Sequence, residues 1–469
     1  MSVLSDKRPF NQPLKAVVWY AGRVALVLSV IALGVAIGLI MLTPAQETLV
    51  AGVFILVYLI VAARNPLYGL LLLIVTQPLA DTYINLSLGA GIPDLSPTRI
   101  CIGFLTTLVL ARALVGHTKL ARFTRVDAIA VLFLAGMTLS APNGKNGWHS
   151  FQNIFDLSFI PIFVYFLAKN LVHNKEQLRK VLSALVILAT FVGLYAIYEQ
   201  LTGHILFVVT QEASTDYGNG LRILRGLLGH PNEFGRILDI AIPLVFYMLL
   251  EEKEIGKRAL YAIILVIVAL GLYLTFRRTA WIAALSSLFI IQWFYPRFRN
   301  LFFVLLVAAV GLIFLNQDRL EESAASARIQ DGDTDTLNGR TEGWNFAVEL
   351  WKRKPITGQG YAQFRDIAKQ EGQRDTAIES QYLFILVSSG LLGFAPYVML
   401  LLAIPLSFVK TFRTSNDPMD KWLIVAFWGA HLSYLVNAYT ATINQLVTTS
   451  VLFLFAGALS SILAQPHTE

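Results

Sequence analysis

Long apolar runs dominate this sequence and constrain its fold more than any other feature. Fourteen stretches approach or reach the length of about 17 to 25 residues that spans the hydrocarbon core of a bilayer. They lie at 24–42, 47–63, 67–82, 97–115, 127–142, 154–171, 180–198, 235–250, 259–275, 280–296, 300–316, 381–408, 421–439 and 443–464. Charged residues make up 14% of the chain, against about 25% in a soluble globular protein. The sequence therefore predicts an all-α polytopic membrane protein with about 12–14 transmembrane helices.

Composition also limits the chemistry that the chain can perform. The one cysteine, Cys101, lies inside an apolar run, which excludes a disulfide framework and a cysteine metal site. We expect no metal and no cofactor. The segment Met1–Lys15 is polar and basic, and no small-residue cleavage pattern follows it, so we expect no cleavable signal. The net charge of +7 is explained by basic cytoplasmic loops, and we expect no nucleic-acid partner.

Every second loop is basic, and this alternation predicts the orientation of the chain. Cytoplasmic loops of membrane proteins carry an excess of lysine and arginine. Counted in alternate loops from the N-terminal tail, the basic residues are Lys7, Arg8, Lys15, Arg64, Lys119, Arg122, Arg125, Lys169, Lys175, Arg179, Lys180, Lys253, Lys257, Arg258, Arg297, Arg299, Lys410, Arg413 and Lys421. Both termini are then cytoplasmic. We expect one transmembrane domain over 1–469, with two long loops on the other face, 199–235 and 317–380.

The second half of the larger loop predicts a helix over 341–354. Trp344, Val348 and Trp351 recur at helical spacing, and Pro355 follows the run as a stop signal. We expect the apolar face of this helix to lie on the membrane surface or to cap the helical bundle. The glycines just after Pro355 follow no strand, so they predict a tight turn and not a nucleotide-binding loop.

Several arginines lie on the face that has few other reasons to be basic. Arg277 and Arg278 interrupt an apolar stretch that runs from 259 to 296. Charges at a membrane boundary are costly unless they snorkel, pair or face a wet cavity, so a snorkelling pair at a hairpin tip is one interpretation. The other is an anion site, because the planar guanidinium suits phosphate oxygens. Further arginines on this face are Arg222, Arg225 and Arg340. Several arginines from separate loops would suit a pyrophosphate.

Other polar residues on this face have both a structural and a functional interpretation. His230 and Asn232 precede a span and could line a cavity mouth or cap a helix. Glu379 stands where the larger loop meets a span, and it could act as a general base or as an acid favoured at a helix start. Polar residues within the predicted spans are Arg23, Arg112, Asp156, Glu199, Asp239 and His431. The buried carboxylates would need partners inside the bundle, with a proton relay as the functional alternative.

These motifs, in this order, resemble the O-antigen ligase and O-antigen polymerase superfamily of bacterial envelope glycan assembly. The resemblance covers about residues 220–400. The matching residues are Arg225-Gly226, Gly229, Pro231–Gly235, Leu274-Thr275, Arg278–Trp281, Arg340, Trp344, Ala347, Pro355, Gly358, Gly360, Tyr382-Leu383, Gly390 and Gly393. Arg277 stands where serine is usual in the family. The order and the common sidedness of the motifs carry the resemblance, since no single motif is specific.

The resemblance implies a GT-C-like, metal-independent, inverting glycosyltransferase that acts on the periplasmic face of the inner membrane. Its donor is a glycan on undecaprenyl pyrophosphate, and its acceptor is a lipid-linked repeat in a polymerase or lipid A-core in a ligase. Arg278 and Arg340 match arginines that hold the donor pyrophosphate, and Arg225 is the third candidate. Trp344 and Tyr382 become candidate substrate-lining residues. A polymerase would also work with a chain-length regulator.

One departure from the family bears on the reaction. Ligases of the family carry a histidine as general base in an "HN" motif, and Glu379 and Ser380 occupy the matching positions here. A carboxylate can abstract the same proton, so Glu379 and the charge-stabilising Arg340 are the catalytic candidates. The absence of the histidine favours a repeat-unit polymerase for O-antigen or exopolysaccharide over a ligase. A lipid-linked oligosaccharide or small-anion transporter and a non-catalytic scaffold are the remaining alternatives.

Overall fold

Helices make up nearly all of the described backbone. The computed structural model describes residues 46–83, 96–144, 147–206, 224, 226–315, 336–361, 363–373, 378–443 and 446–463, and these ranges contain no β-strand. Two compact units are distinguished, Met1–Val57 and Tyr58–Glu469. In the first unit, the described residues 46–57 are helical. The paragraphs below concern the second unit.

The helices are labelled here in chain order. Their bounds are α1 Gln46–Arg64, α2 Pro66–Tyr83, α3 Pro97–Leu114, α4 Arg125–Ser140, α5 Gly147–Ile154, α6 Ile160–Leu171, α7 Lys175–Thr202, α8 Pro231–Glu251, α9 Ile255–Tyr273, α10 Arg278–Phe294, α11 Arg299–Leu315, α12 Thr336–Arg353, α13 Phe364–Gln370, α14 Gln381–Ser407, α15 Val409–Thr414, α16 Pro418–Thr440 and α17 Leu446–Leu463. A π-helical turn, Phe155–Phe159, joins α5 to α6.

The prediction of an all-α polytopic membrane protein is confirmed. Within the described residues, eight helical segments are long and apolar enough to cross a membrane by length and composition, and two shorter apolar helices precede them. Thirteen of the fourteen predicted apolar runs coincide with a helix, and the first, 24–42, lies outside the described residues. The helices α7 and α8 each extend a few residues into the predicted loop 199–235.

Helix α8 lies at the centre of the unit. Every residue from Glu233 to Met248 is buried. The helices α7, α9, α10 and α16 pack around it. A Cβ atom placed on Gly235 would lie 2.5 Å from the Cβ atom of Ala280, so α8 and α10 approach closely at this point. Small residues permit such approach between membrane helices. The first turns of α8 and α10 therefore lie side by side.

The predicted basic loops meet at one end of the unit, which we call the basic end. Its turns are 115–124, 172–174, 252–254 and 408–417. Lys175 forms ion pairs with Asp417 at 2.7 Å and Asp420 at 2.8 Å, and Arg179 pairs with Glu252 at 2.5 Å. The buried Lys169 pairs with Asp127. The other end of the unit carries the candidate site residues that are described, and we call it the site end.

The turn after α12 forms hydrogen bonds with a break in α14, which we call the repaired break. Gly390 has non-helical backbone angles, φ 59° and ψ −159°, and interrupts the hydrogen-bond ladder of α14. Four backbone hydrogen bonds from the segment 355–360 replace the missing ones. The N–H groups of Gln359 and Gly360 donate to the carbonyls of Val387 and Ser388, and those of Leu391 and Leu392 donate to the carbonyls of Pro355 and Ile356. An interrupted helix at membrane depth requires such internal partners, because lipid offers none.

The helices α12 and α13 cover the first half of α14. Phe346, Ala347 and Leu350 of α12 are buried in a small apolar cluster with Phe364 and Val387. The stripe predicted from Trp344, Val348 and Trp351 is only half-buried, because the helix turns the adjacent face inward. At the outer ends of these helices, Arg353 donates to both carboxylate oxygens of Glu371, at 2.5 and 2.9 Å. The larger loop therefore includes a compact helical cap on α14.

Candidate active site at the site end

A strained turn presents the arginine pair between α9 and α10. Phe276 has a φ of 49°, in the left-handed region that side chains other than glycine rarely adopt. Two side-chain hydrogen bonds hold the turn from below: the Thr275 hydroxyl and the Trp281 indole N–H both donate to the Leu272 carbonyl, at 2.7 and 3.2 Å. Residues held in sparsely populated backbone regions persist only where the surroundings fix them, and they cluster at functional sites.

The two arginines differ in their environment. Arg277 is half-buried, whereas Arg278 is exposed at the first position of α10. No side chain caps this helix start. The N-terminus of a helix attracts anions through its unpaired N–H groups and its dipole. An exposed arginine at such a terminus adds a full positive charge, so the start of α10 is suited to a phosphate group.

The start of α8 lies beside the start of α10 in the candidate site. His230 is the N-cap, and its Nδ1 atom accepts from the Asn232 N–H at 3.1 Å, which is the capping interpretation of this residue. The His230 side chain is exposed. Just before it, the Gly226 N–H donates to the buried carboxylate of Glu199 at 3.2 Å. A Cβ atom at Gly226 would lie 2.7 Å from that carboxylate, so the close contact requires glycine.

A buried ion pair anchors three segments below the surface of the site end. Arg236 and Glu233 pair within α8, and each is almost fully buried. The second Glu233 oxygen accepts from the Thr448 hydroxyl of α17 at 2.9 Å. Arg236 also donates to the Thr442 carbonyl at 3.0 Å, in the turn between α16 and α17. Sequence reasoning named Glu233 only within the family motif and missed Arg236, although two charges at a helical i, i+3 spacing at the start of an apolar run gave a signal.

The same turn holds the chain that carries Glu379. The Thr442 hydroxyl donates to the Ile378 carbonyl, and the Ile443 N–H donates to the Gln381 side-chain oxygen at 2.9 Å. Glu379 lies between these two attachments and is half-buried. Ser380 is buried at the start of α14 and does not cap it through its side chain. The ion pair in α8 therefore reaches the segment around Glu379 through two hydrogen bonds.

Trp344 and Tyr382, the candidate substrate-lining residues, form contacts with other helices of the protein. The Trp344 ring lies 5.6 Å from that of Tyr439, so α12 touches the end of α16. The Tyr382 hydroxyl donates to the Leu435 carbonyl at 3.2 Å and joins α14 to α16. Arg222 and Arg225 lie outside the described residues. Arg340 lies in α12, and its side chain is outside the described part.

The described polar residues inside the spans have partners, as was expected for Asp156 and Asp239. Asp156 accepts two hydrogen bonds from Arg99, at 2.7 and 2.5 Å. Asp239 accepts from Ser433 at 2.6 Å and from Asn437 at 2.8 Å. Arg112 and His431 contact the carbonyls of Ala63 and Leu401, respectively. Glu199 accepts from the Gly226 N–H. Arg23 lies outside the described residues. Among the described side chains, no group of three or more His, Cys, Asp or Glu residues could hold a metal ion.

Comparison with known proteins adds one finding. Residues 263–398 match the family model described as O-antigen ligase. A search of curated proteins found no match. The matched segment begins in α9 and ends in α14, so it contains Arg277 and Arg278, the helix α12, Glu379 and the repaired break.

Proposed function

We propose, on the premise that residues 263–398 form an O-antigen ligase family domain, that this chain is a membrane glycosyltransferase. It transfers a glycan from undecaprenyl pyrophosphate to a lipid-linked saccharide on the periplasmic face of the bacterial inner membrane. The acceptor hydroxyl attacks the anomeric carbon with inversion, the bond from that carbon to the pyrophosphate oxygen breaks, and undecaprenyl pyrophosphate leaves. Neither metal nor cofactor takes part.

The observation that carries this proposal is the start of α10 inside the family domain. Arg278 is exposed there on an uncapped helix terminus, beside the first turn of α8. A departing pyrophosphate needs stabilisation of negative charge more than it needs a proton. Arg278 and Arg340 supply that charge, with Arg225 and Arg277 as the further candidates. Because arginine stays protonated at any physiological pH, this stabilisation does not depend on a titrating group.

Glu379 is the proposed general base. It is half-buried and lies between two hydrogen-bonded attachments to the 442–443 turn, which fix its backbone. In the proposed reaction it accepts the proton of the attacking sugar hydroxyl as the new glycosidic bond forms. His230, Asn232, Trp344 and Tyr382 surround the same end of the bundle as candidate lining residues.

The acceptor distinguishes the two enzyme classes in this family. Glu379 and Ser380 stand where a ligase has its "HN" motif, and this favours a repeat-unit polymerase. The description of the matched domain as O-antigen ligase is the observation that favours the second candidate, transfer to lipid A-core. Purified lipid-linked repeat, offered with and without lipid A-core, separates them. We expect polymer in both reactions; product on lipid A-core alone would identify a ligase.

Substitution of the arginines tests the proposed donor site. We expect Arg278→Ala and Arg340→Ala each to lower transfer about 100-fold or more, which is the effect of removing one charge-stabilising donor. Arg258→Ala is the matched control, since Arg258 is an exposed arginine at the other end, and it retains activity. Membrane insertion is checked by fractionation. Normal product length in both site variants would refute the pyrophosphate site.

A second pair of variants tests the base. Glu379→Gln keeps the shape of the side chain but cannot accept a proton, so we expect transfer to fall about 100-fold. Glu379→His restores part of the rate, because an imidazole nitrogen can accept the same proton. Full activity of Glu379→Gln would exclude the residue as the base.

A further inference from the structure

A cavity at the basic end lies between the ends of α1, α3 and α6. Its volume is about 160 Å³, enough for a phosphate group, and it is far from the residues of the proposed reaction. Arg112 and Lys119 line it, together with the side chains of Thr118, His173, Asn65 and Gln177. None of its described lining residues is an aspartate or a glutamate. The polar part of the lining therefore consists of groups that donate hydrogen bonds or carry positive charge, and the remainder, which includes Leu67, Val109 and Leu120, is apolar.

The hydrogen bonds already formed leave donors available on the lining residues. The Asn65 side-chain oxygen accepts from the Leu67 N–H at 3.1 Å, and the Gln177 oxygen accepts from the His173 N–H at 2.7 Å. Because these amide oxygens are occupied, their NH₂ groups remain as donors. Arg112 uses one N–H on the Ala63 carbonyl, at 2.6 Å, and has further N–H groups.

One lining group offers a buried hydroxyl to a polar ligand. The Thr118 hydroxyl oxygen is buried, and it has no hydrogen-bond partner among the described residues. The turn that carries Thr118 is fixed by its backbone, since the N–H groups of His117 and Thr118 both donate to the Arg112 carbonyl, at 2.8 and 3.3 Å. A buried hydroxyl without a partner costs free energy, and an anion in the cavity would accept from it.

The rim of the cavity distinguishes a lipid from a free phosphate ion. Leu120, which lines the cavity, is 50% exposed. Leu114, Val115 and Phe123, which are close in the chain to lining residues, are exposed by 89%, 71% and 68%. A soluble ion has no use for such a surface, whereas the acyl chains of a phospholipid would cover it. Basic pockets between membrane helices at the cytoplasmic side are suited to anionic headgroups.

We propose that this cavity binds the phosphate of an anionic glycerophospholipid, held by Arg112, Lys119 and Thr118, with the acyl chains on the exposed apolar rim. The site does not depend on the proposed transferase activity. It uses residues at the opposite end of the bundle.

The test uses the full-length protein, purified in detergent. Binding of phosphatidylglycerol, phosphatidylcholine and inorganic phosphate is measured by native mass spectrometry and by the shift in apparent Tm. We expect the natural protein to bind phosphatidylglycerol about tenfold more tightly than phosphatidylcholine. The double variant Arg112→Gln/Lys119→Gln loses about tenfold in affinity for phosphatidylglycerol. The matched control, Lys410→Gln/Arg413→Gln, removes two exposed charges from the same end outside the cavity and binds as the natural protein does.

Three results would overturn the proposal. The first is equal affinity of the natural protein for the two phospholipids, which needs no variant. The second is an equal loss in the control variant, which would assign the effect to general surface charge. The third is displacement of phosphatidylglycerol by inorganic phosphate at similar concentration, which would make the cavity a simple ion site. Size-exclusion profiles establish that each variant is folded.

Discussion

Arg236 illustrates how single buried charges are tolerated at the centre of this molecule. Arg236 is 1% exposed and lies in α8, where every residue from Glu233 to Met248 is buried. The partners come from three places: Glu233 in the same helix, the Thr442 carbonyl, and Thr448 through Glu233. Removing one member of a buried pair leaves the other charge without compensation, which costs more than removing both.

We therefore predict that Arg236→Met lowers the free energy of unfolding by about 3 to 5 kcal/mol. The double variant Glu233→Met/Arg236→Met recovers much of this loss, because neither charge remains buried alone. Both are measured by denaturant titration of the purified protein in detergent. A double variant that is less stable than the single one would show that the pair itself, and not its compensation, stabilises α8.

Single residues were predictable where charge interrupts an apolar run, and unpredictable where partners are distant in the chain. Arg277 and Arg278 were found because they leave almost no loop between two spans. The hydrogen bond from Thr442 to Ile378, which holds the Glu379 segment, joins two residues that are 64 positions apart in the chain. No local spacing indicates such a contact, since it depends on how α14, α16 and α17 pack.

At the scale of helices, α14 is the element whose sequence and structure differ most. Its apolar run is continuous over 381–408, so it reads as one span. Hydropathy depends on side chains, whereas the break at Gly390 depends on backbone angles and on the segment 355–360. The glycines after Pro355, which were predicted to form a tight turn, also allow the backbone to approach this break closely. Helix positions followed from the sequence because hydrocarbon thickness sets the length of a span.

Substitution of Gly390 tests the importance of the break. An alanine there would meet the Ile356 carbonyl and would hold a φ of 59°, so we predict a loss of about 1 to 3 kcal/mol from backbone strain alone. Gly103→Ala is the matched control: it lies inside α3, its Cβ atom would meet nothing within 4 Å, and alanine favours the helix. Thermal unfolding in detergent compares the two. Equal stability of both variants would mean that α14 can straighten.

The cap formed by α12 and α13 has a pH dependence of known sign. Hydrogen bonds from Arg353 lower the pKa of Glu371 below its ordinary value of 4.5. A carboxyl group whose pKa is lowered in the fold stabilises the folded cap at pH values above its ordinary pKa. This stabilisation is lost as the pH falls through the lowered pKa. We predict that amide hydrogen exchange in α13, corrected for the intrinsic rate, becomes a few-fold less protected in acid.

Arg353→Gln supplies the control for this effect. Without the guanidinium, the protection of α13 at neutral pH falls to the value that the natural protein shows in acid, and its dependence on pH disappears. A pH profile that is unchanged by the substitution would assign the effect to another group.

At the scale of the whole molecule, the two ends of the second unit differ in charge and in contacts. Exposed ion pairs join the turns of the basic end, whereas the buried pair Glu233–Arg236 and hydrogen bonds to backbone carbonyls join the segments of the site end. The sequence predicted this division through its alternating basic loops. The predicted orientation of those ends relative to the membrane follows from the positive-inside rule alone.

Cysteine labelling tests the orientation directly. The native Cys101 is buried and gives little background. We predict that a membrane-impermeant maleimide labels Lys369→Cys in spheroplasts, because the proposed orientation places α13 in the periplasm. Lys257→Cys, at the basic end, is labelled only after lysis. Both positions are exposed, so accessibility within the protein is matched. The reverse pattern would invert the topology and remove the active face from the periplasm.

The repaired break in α14 also has a consequence for biosynthesis. The residues that complete its hydrogen bonds, 355–360, precede the helix in the chain and are translated first. A half-helix that left the translocon alone would bring unsatisfied carbonyl and N–H groups into lipid. Integration of this span into the bilayer is thus coupled to the docking of a segment already synthesised. We therefore expect the docking of 355–360 and the insertion of α14 to occur together, and the order of translation favours this.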